Sequence, residues 1–423
     1  MTGGGSRSQP GLDVMPLHQG GLFSLYHRTA NLWQSTVEFG PMPLSSRIAG
    51  LDGLRALAAL AVFSVHFNQI VRLDQQLGPF DIARLLANGE HGVSLFFTLS
   101  GFLLCLPFWQ ALAAGGGLPN LKVYVLRRAA RILPAYYGAL TLLVLLSGMW
   151  RFPPVLPDIG LHYAFLFNLT EFSIFSINAP FWTLAVEVQF YALLPLMFGL
   201  IAKAASRWRL GSIVALGVGT YFAHYWLMSS VTRIVIWPFE PMLIWIRPYG
   251  AVLSHSVLAH LPHFILGVIA GCLHLKTERL VSTDRVWLQR ISEPVFWCAL
   301  VLVLVFTGTP LEEPIQIPYG RYGLPLVPLL LAVMIGSLPL TSWARRCFDA
   351  RPLRGLGIIS YGVYIYHLPC LTLIDRIMAR NGWDAAEHPF TFAAAGLTLT
   401  VLVAAVSFTV LERPTIRAAR RFA

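Results

Sequence analysis

Ten stretches of this 423-residue chain are apolar over close to the twenty or so residues that a helix needs to cross a bilayer. They lie at about 51–71, 91–113, 132–150, 180–201, 209–228, 255–275, 291–309, 321–341, 355–379 and 389–411. Lipid offers backbone N–H and C=O groups no partner, so runs of this length satisfy themselves as helices. The expected fold class is all-α, a polytopic transmembrane helix bundle of about ten helices. Composition agrees: 56% of residues are hydrophobic and the mean hydropathy is +0.63, too apolar for a soluble chain of this size.

The basic residues orient the bundle. If odd-numbered helices run outward, the inner segments hold 22 of the 31 lysines and arginines and the outer ones 8, with Arg55 at the start of the first helix. That asymmetry places both termini in the cytoplasm. The net charge of +11 then reflects topology. Spread over six short segments, it lacks the single basic face that nucleic acid requires. Residues 1–46 read as a flexible cytoplasmic leader, 47–414 as the transmembrane domain and 415–423 as a short basic tail. The start of the chain lacks the basic and apolar regions of a secretory signal. Leu22–Trp33 forms a short stretch suited to the membrane surface. The five cysteines have no Cys-x-x-Cys spacing and read as structural thiols, and no metal centre is expected.

Several helices carry polar groups that lipid does not tolerate idly. Arg55 and His66 are eleven residues apart, about three turns, so they share one face of the first helix. A charge and an imidazole inside a spanning helix mark function by default. Ser100 and Gly101 make a small patch on the second helix that admits either a neighbouring helix or a ligand. Arg127, Arg128 and Arg131 follow a glycine run, with Arg128 and Arg131 neighbours on one face. They suit membrane anchoring or, through planar donors, a phosphate. Glu187, just below Trp182, falls at a depth similar to those of His66 and His367. A buried carboxylate needs a partner, either an imidazole or guanidinium nearby or a plain helix–helix hydrogen bond. For His367 a structural hydrogen bond is the plainer role. His255, His260 and His263 form no single-face ligand set and read as an interfacial polar rim.

In this order the motifs resemble the acyltransferase-3 family of membrane-bound acyltransferases, over about residues 48–414. Arg55 and His66 match the family's Arg-x10-His. Gly92 to Phe102 matches its second-helix block. Arg128-Ala-Ala-Arg131 matches its Arg-x-x-Arg, and Trp182 to Glu187 with Phe190-Tyr191 matches its tryptophan–glutamate block. Ser360 to Tyr364, His367 and Glu412-Arg-Pro414 match its closing blocks. Ser94 stands where the family often has Asp, and Tyr366 where it often has Trp. Many relatives add an SGNH esterase-like domain, and the stand-alone form is expected here.

The resemblance implies transfer of an acyl group, usually acetyl, from acyl-CoA to a hydroxyl of a glycan, lipid-linked sugar or secondary metabolite. It implies a multi-pass protein of the bacterial inner membrane with acetyl-CoA as donor substrate and no permanently bound cofactor. Arg127, Arg128 and Arg131 are the expected donor-binding residues. His66 is the expected general base, or alternatively an acyl carrier, with Glu187 and Arg55 beside it in catalysis. Ser100, Trp182 and His367 are the expected substrate contacts. A transporter or flippase of a lipid-linked saccharide is the alternative function, and an inactive scaffold a further one. The chain shows no inverted repeat in support of transport.

Overall fold

The computed structural model describes residues 1, 47–113, 117–205, 217–224, 252–278, 282–311 and 326–422. The chain divides into Met1–Ile48 and Ala49–Ala423. In the first unit only Met1, Arg47 and Ile48 are described, without regular structure. The expected leader and the Leu22–Trp33 stretch therefore lie outside the described residues, as do most of the expected span at 209–228 and of the outer segment at 229–254.

The second unit is helical. Its principal helices are α1 (Leu51–Val71), α2 (His91–Ala113), α3 (Leu121–Ser147), α4 (Trp182–Ala205), α5 (Val257–Glu278) and α6 (Ser282–Gly308). They continue with α7 (Leu326–Ser337), α8 (Arg351–Ile358), α9 (Ser360–Arg380), α10 (Pro389–Ser407) and α11 (Arg413–Arg421). Among the described residues the sheet is one ribbon of two two-residue strands, Gln76–Leu77 against Phe80–Asp81. Among the described residues seven helical segments are long and apolar enough to cross a membrane, and α8 with α9 makes an eighth if the pair is one span. The chain is thus a multi-pass helical membrane protein, the class expected.

Three boundaries differ from expectation. The third helix starts at Leu121, where the Asn120 side chain accepts a hydrogen bond from the Val123 N–H at 3.2 Å. The arginine motif therefore sits within the spanning helix and turns partly inward. The expected span at 355–379 is broken: α8 and α9 meet at 75°. The last helix does not stop near 411 but runs on through a π-helical turn, Phe408–Glu412, into α11, so the expected tail is helical to Arg421. The apolar helix near 321–341 is described from Leu326 only and is short of a full span there.

Close helix contacts rest on absent side chains. Between α2 and α5, a Cβ at Gly101 would lie 2.2 Å from the Phe264 carbonyl oxygen, and one at Gly267 2.1 Å from that of Thr98. Two backbones can meet this closely only where no Cβ intervenes. Stacked and tilted rings of Phe190, Phe264 and Phe97 fill the centre beside this contact. α8 crosses the start of α1 in the same way. Gly357 lies against the Asp52 backbone, and Gly53 lies against that of Phe348 in the short helix Trp343–Phe348 that precedes α8. This crossing fixes the end of α1 that carries Arg55.

Candidate active site

Helices α1, α2, α3, α4 and α9 line a cavity. Its polar lining is Arg55, Ser100, Arg128, Arg131, Thr183, Glu187, Tyr191, Ser360, Tyr361 and Tyr364, set among apolar residues such as Phe96, Phe97 and Leu184. Five residues singled out in the sequence, Arg55, Ser100, Arg128, Arg131 and Glu187, thus meet here from four helices.

Each is placed by its element. Arg55, one turn into α1, lies 3.8 Å from Asp52. Arg128 and Arg131 come from one face of α3, and the Arg128 Nε is buried without a hydrogen-bond partner among the described residues. Glu187 is held firmly: its Oε1 accepts from the Ser100 hydroxyl at 2.6 Å and from the Tyr191 hydroxyl at 2.5 Å. Tyr191 is one turn along α4, and its carbonyl accepts from the Tyr124 hydroxyl at 3.1 Å. A half-buried carboxylate with two hydrogen bonds shares the cavity with three guanidiniums, an arrangement able to fix a polar or anionic ligand in an apolar shell. Thr183 and Tyr364 close the far wall: the Thr183 hydroxyl donates to the Tyr364 hydroxyl at 2.7 Å, which donates to the Pro180 carbonyl at 3.0 Å.

The expected His66 and His367 do not line the cavity but form a second cluster next to Tyr364. The His66 and His367 rings are 5.0 Å apart between centroids, tilted by 37°, and the Tyr364 ring is 5.8 Å from that of His367. The His66 Nδ1 donates to the Gln69 Oε1 at 2.9 Å, and the His367 Nδ1 donates to the Tyr364 carbonyl at 2.7 Å. Because each acceptor is an oxygen, both neutral rings carry the proton on Nδ1 and leave Nε2 as a lone pair. His367 is 1% exposed, and its Nε2 has no partner among the described residues.

Several expected placements change. Glu187 and His66 share no hydrogen bond: the carboxylate is claimed by Ser100 and Tyr191, the imidazole by Gln69. Equal depth on separate helices did not bring them together, because that depends on how each helix is rotated. Arg127 is exposed and outside the cavity, since one residue is about 100° of helix and turns it away from Arg128. Trp182 does not line the cavity. It is buried against His255 and His260, with ring centroids at 4.5 and 5.1 Å. His255, His260 and His263 are no polar rim: each is at most 2% exposed, packed around Trp182 and Phe97. No group of three or more metal-ligating side chains is disposed to hold an ion among the described residues. The sequence reading placed Tyr191 and Tyr364 in matched blocks without giving them a role, and missed Gln69. The first and last stand four and three residues from Glu187 and His66, a spacing that could have marked them.

The family described as "Acyltransferase domain" matches residues 48–409. The chain is 25% identical over 393 residues to the peptidoglycan O-acetyltransferase OatA of Listeria monocytogenes, covering 87% of this chain and 55% of OatA. It is 25% identical over 397 residues to the acyltransferase MdmB of Streptomyces mycarofaciens, covering 89% of this chain and 93% of MdmB. The chain therefore spans about half the length of OatA and nearly all of MdmB. No solved structure matches it. With the family model matched over residues 48–409, most of this chain, the chain belongs to the acyltransferase-3 family of membrane acyltransferases.

Proposed function

We propose that this protein is a membrane O-acyltransferase that moves an acyl group, most simply acetyl, from acyl-CoA to a hydroxyl of a glycan, lipid-linked sugar or secondary metabolite. The observation that carries the reading is the convergence of Arg55, Arg128 and Arg131 on one cavity, with the His66–His367 pair next to Tyr364 of its lining. The name of OatA supports a glycan acceptor, and that of MdmB names none.

The donor's phosphates are the natural ligand of Arg128 and Arg131, which offer planar forked donors near the basic start of α3. On the orientation given by the basic residues, this end faces the cytoplasm, where acyl-CoA is made. The thioester then points along the cavity toward Tyr364. The His66 Nε2 takes the proton of the acceptor hydroxyl as its oxygen bonds to the thioester carbon. The carbon–sulfur bond breaks, and the thiolate leaves as CoA–SH with the proton that His66 returns. Gln69 holds the tautomer this requires. The same lone pair permits an acyl-imidazole route, which needs one more chemical step.

Donor binding is tested by calorimetry of acetyl-CoA with purified protein in nanodiscs. Replacing both Arg128 and Arg131 by alanine is expected to weaken binding at least tenfold, roughly the loss of one charge-assisted contact. Unchanged affinity in a folded double variant would refute the donor site.

A further inference from the structure

Helix α6 contributes no residue to the cavity lining, yet it is tied to both ends of α1, the helix that carries Arg55 near its start and His66 near its end. Near the start of α6, Glu293 serves a helix other than its own. Its Oε2 accepts from the backbone N–H groups of Ser342 at 2.8 Å and Trp343 at 3.0 Å, and its Oε1 from that of Ala344 at 2.8 Å. These N–H groups begin the short helix Trp343–Phe348, which has no side-chain cap from Ser342. The Trp297 indole N–H donates to the same carboxylate at 3.0 Å. The ring pairs Trp297–Trp343 and Phe296–Phe348 pack alongside, with centroids 4.8 and 5.3 Å apart. One carboxylate thus fixes the short helix to α6. That helix ends on α1: a Cβ at Gly53 would stand 2.0 Å from the Phe348 carbonyl oxygen, and Arg55 is two residues further on.

The end of α6 reaches the other end of α1. The last carbonyls of a helix have no partner within it and need donors from elsewhere. Here the Asn88 amide donates to the Thr307 carbonyl at 2.8 Å, and the Arg84 guanidinium to that of Thr309, just past the helix, at 3.1 Å. Phe80 of the ribbon covers Gly308, where a Cβ would come within 2.8 Å of its ring. The same segment, residues 80–89, is joined to α1 on both sides of His66 in sequence. The Asn68 amide donates to the Ala83 carbonyl at 3.2 Å. Gly89 meets α1 so closely that a Cβ there would lie 2.2 Å from the Ala61 carbonyl oxygen. Asn68 also accepts from the Leu73 N–H at 3.1 Å, where α1 ends at Arg72 with a φ of +55°.

We propose that α6 is a strut that sets the two ends of α1 separately: Glu293 is a positioning residue for Arg55, and Asn88 is a positioning residue for His66. The inference rests on the reading of the cavity as the donor site and of His66 as the base. The two groups lie about 16 Å apart along one helix axis. Freeing one end tilts α1 about the other, so each loss is felt at the nearer group. It is read in a different kinetic constant, the donor's KM for Arg55 and kcat for His66.

The test is the kinetics of CoA release from acetyl-CoA by the full chain in nanodiscs, with an extract of the native membrane as acceptor source. Glutamine at 293 keeps the size and one accepting oxygen, so the short helix is loosened and not released. Glu293→Gln is expected to raise the acetyl-CoA KM about fivefold with kcat within about twofold, and to add less than about twofold on top of Arg55→Ala. Asn88→Ala is expected to do the reverse, lowering kcat about tenfold with the acetyl-CoA KM within about twofold. Variants that shift both constants together overturn the proposal, and so do wild-type constants in either variant or a Glu293→Gln effect that multiplies with that of Arg55→Ala. Thermal midpoints of Glu293→Gln, Gly53→Ala and the pair separate the two readings. A loosened short helix yields to the new methyl group, so the pair is expected to lose less than the sum. Additive midpoints overturn the link from Glu293 to α1 whatever the kinetics, whereas coupled midpoints with a KM indifferent to Arg55→Ala overturn the donor site instead.

Discussion

Glu187 carries two hydrogen bonds on one oxygen, from Ser100 on α2 and Tyr191 on its own helix. Removing either donor leaves a half-buried carboxylate less well satisfied. Ser100→Ala and Tyr191→Phe are each expected to lower kcat/KM about tenfold, the scale of one hydrogen bond to a charged group. Steady-state kinetics on proteins of unchanged helical content would show it. Gln69→Ala frees the His66 ring to take either tautomer, so it is expected to lower kcat several-fold with little change in the donor's KM. At this scale the sequence is informative where the contact is local. Arg55 and His66 share a face because the helical period says so, and Arg128 and Arg131 do likewise. It is silent where partners lie far apart: Ser100 and Glu187 are 87 residues apart, and nothing in either neighbourhood names the other. Depth alone paired Glu187 with His66, and helix rotation paired His66 with His367 instead.

The elements set these rotations. The start of α1 is clamped by α8, where a Cβ on Gly357 would stand 1.8 Å from the Asp52 carbonyl oxygen. Gly357→Ala must push the two helices apart and shift Arg55. It is expected to cost about 1–3 kcal/mol, read as a lower thermal midpoint, with activity falling further than stability. The 75° break between α8 and α9 was not legible, since no proline marks it and the apolar run continues across it. The contact with α1 imposes it. Outside the spanning helices, the segment 156–173 is tied together by Asp158, whose Oδ1 accepts from the Ser173 hydroxyl at 2.6 Å and lies 3.2 Å from the His162 Nδ1. Burial holds the His162 imidazole below its ordinary value of 6.5, against the opposite pull of Asp158. The unfolded segment therefore takes up a proton before the folded one does. Its stability is full above about pH 6.5 and falls as the pH drops toward the lowered folded value. Thermal midpoints between pH 7.5 and 5 are expected to fall for the wild type and to flatten in His162→Gln.

At the scale of the molecule, hydropathy was sufficient for the class and the approximate span count, because each helix must satisfy its own backbone in lipid. It could not give the order of helices around the cavity, which depends on side-chain fit across the bundle. It also misread the three histidines near α5, whose burial comes from Trp182 on α4 and Phe97 on α2. The asymmetry of basic residues makes a separate prediction about sidedness. Cys347, half-buried in the short helix Trp343–Phe348, sits among arginines assigned to the cytoplasm. With the other four cysteines replaced, a membrane-impermeant maleimide is expected to label it in inside-out vesicles and not in right-side-out ones. The central claim, that this cavity and its histidine pair transfer an acyl group, is tested most directly with purified protein in nanodiscs, acetyl-labelled acetyl-CoA and an extract of the native membrane. The account predicts CoA release with label passing into a hydroxyl-bearing product for the wild type, and neither for a folded His66→Ala protein. Equal transfer by both proteins would contradict it.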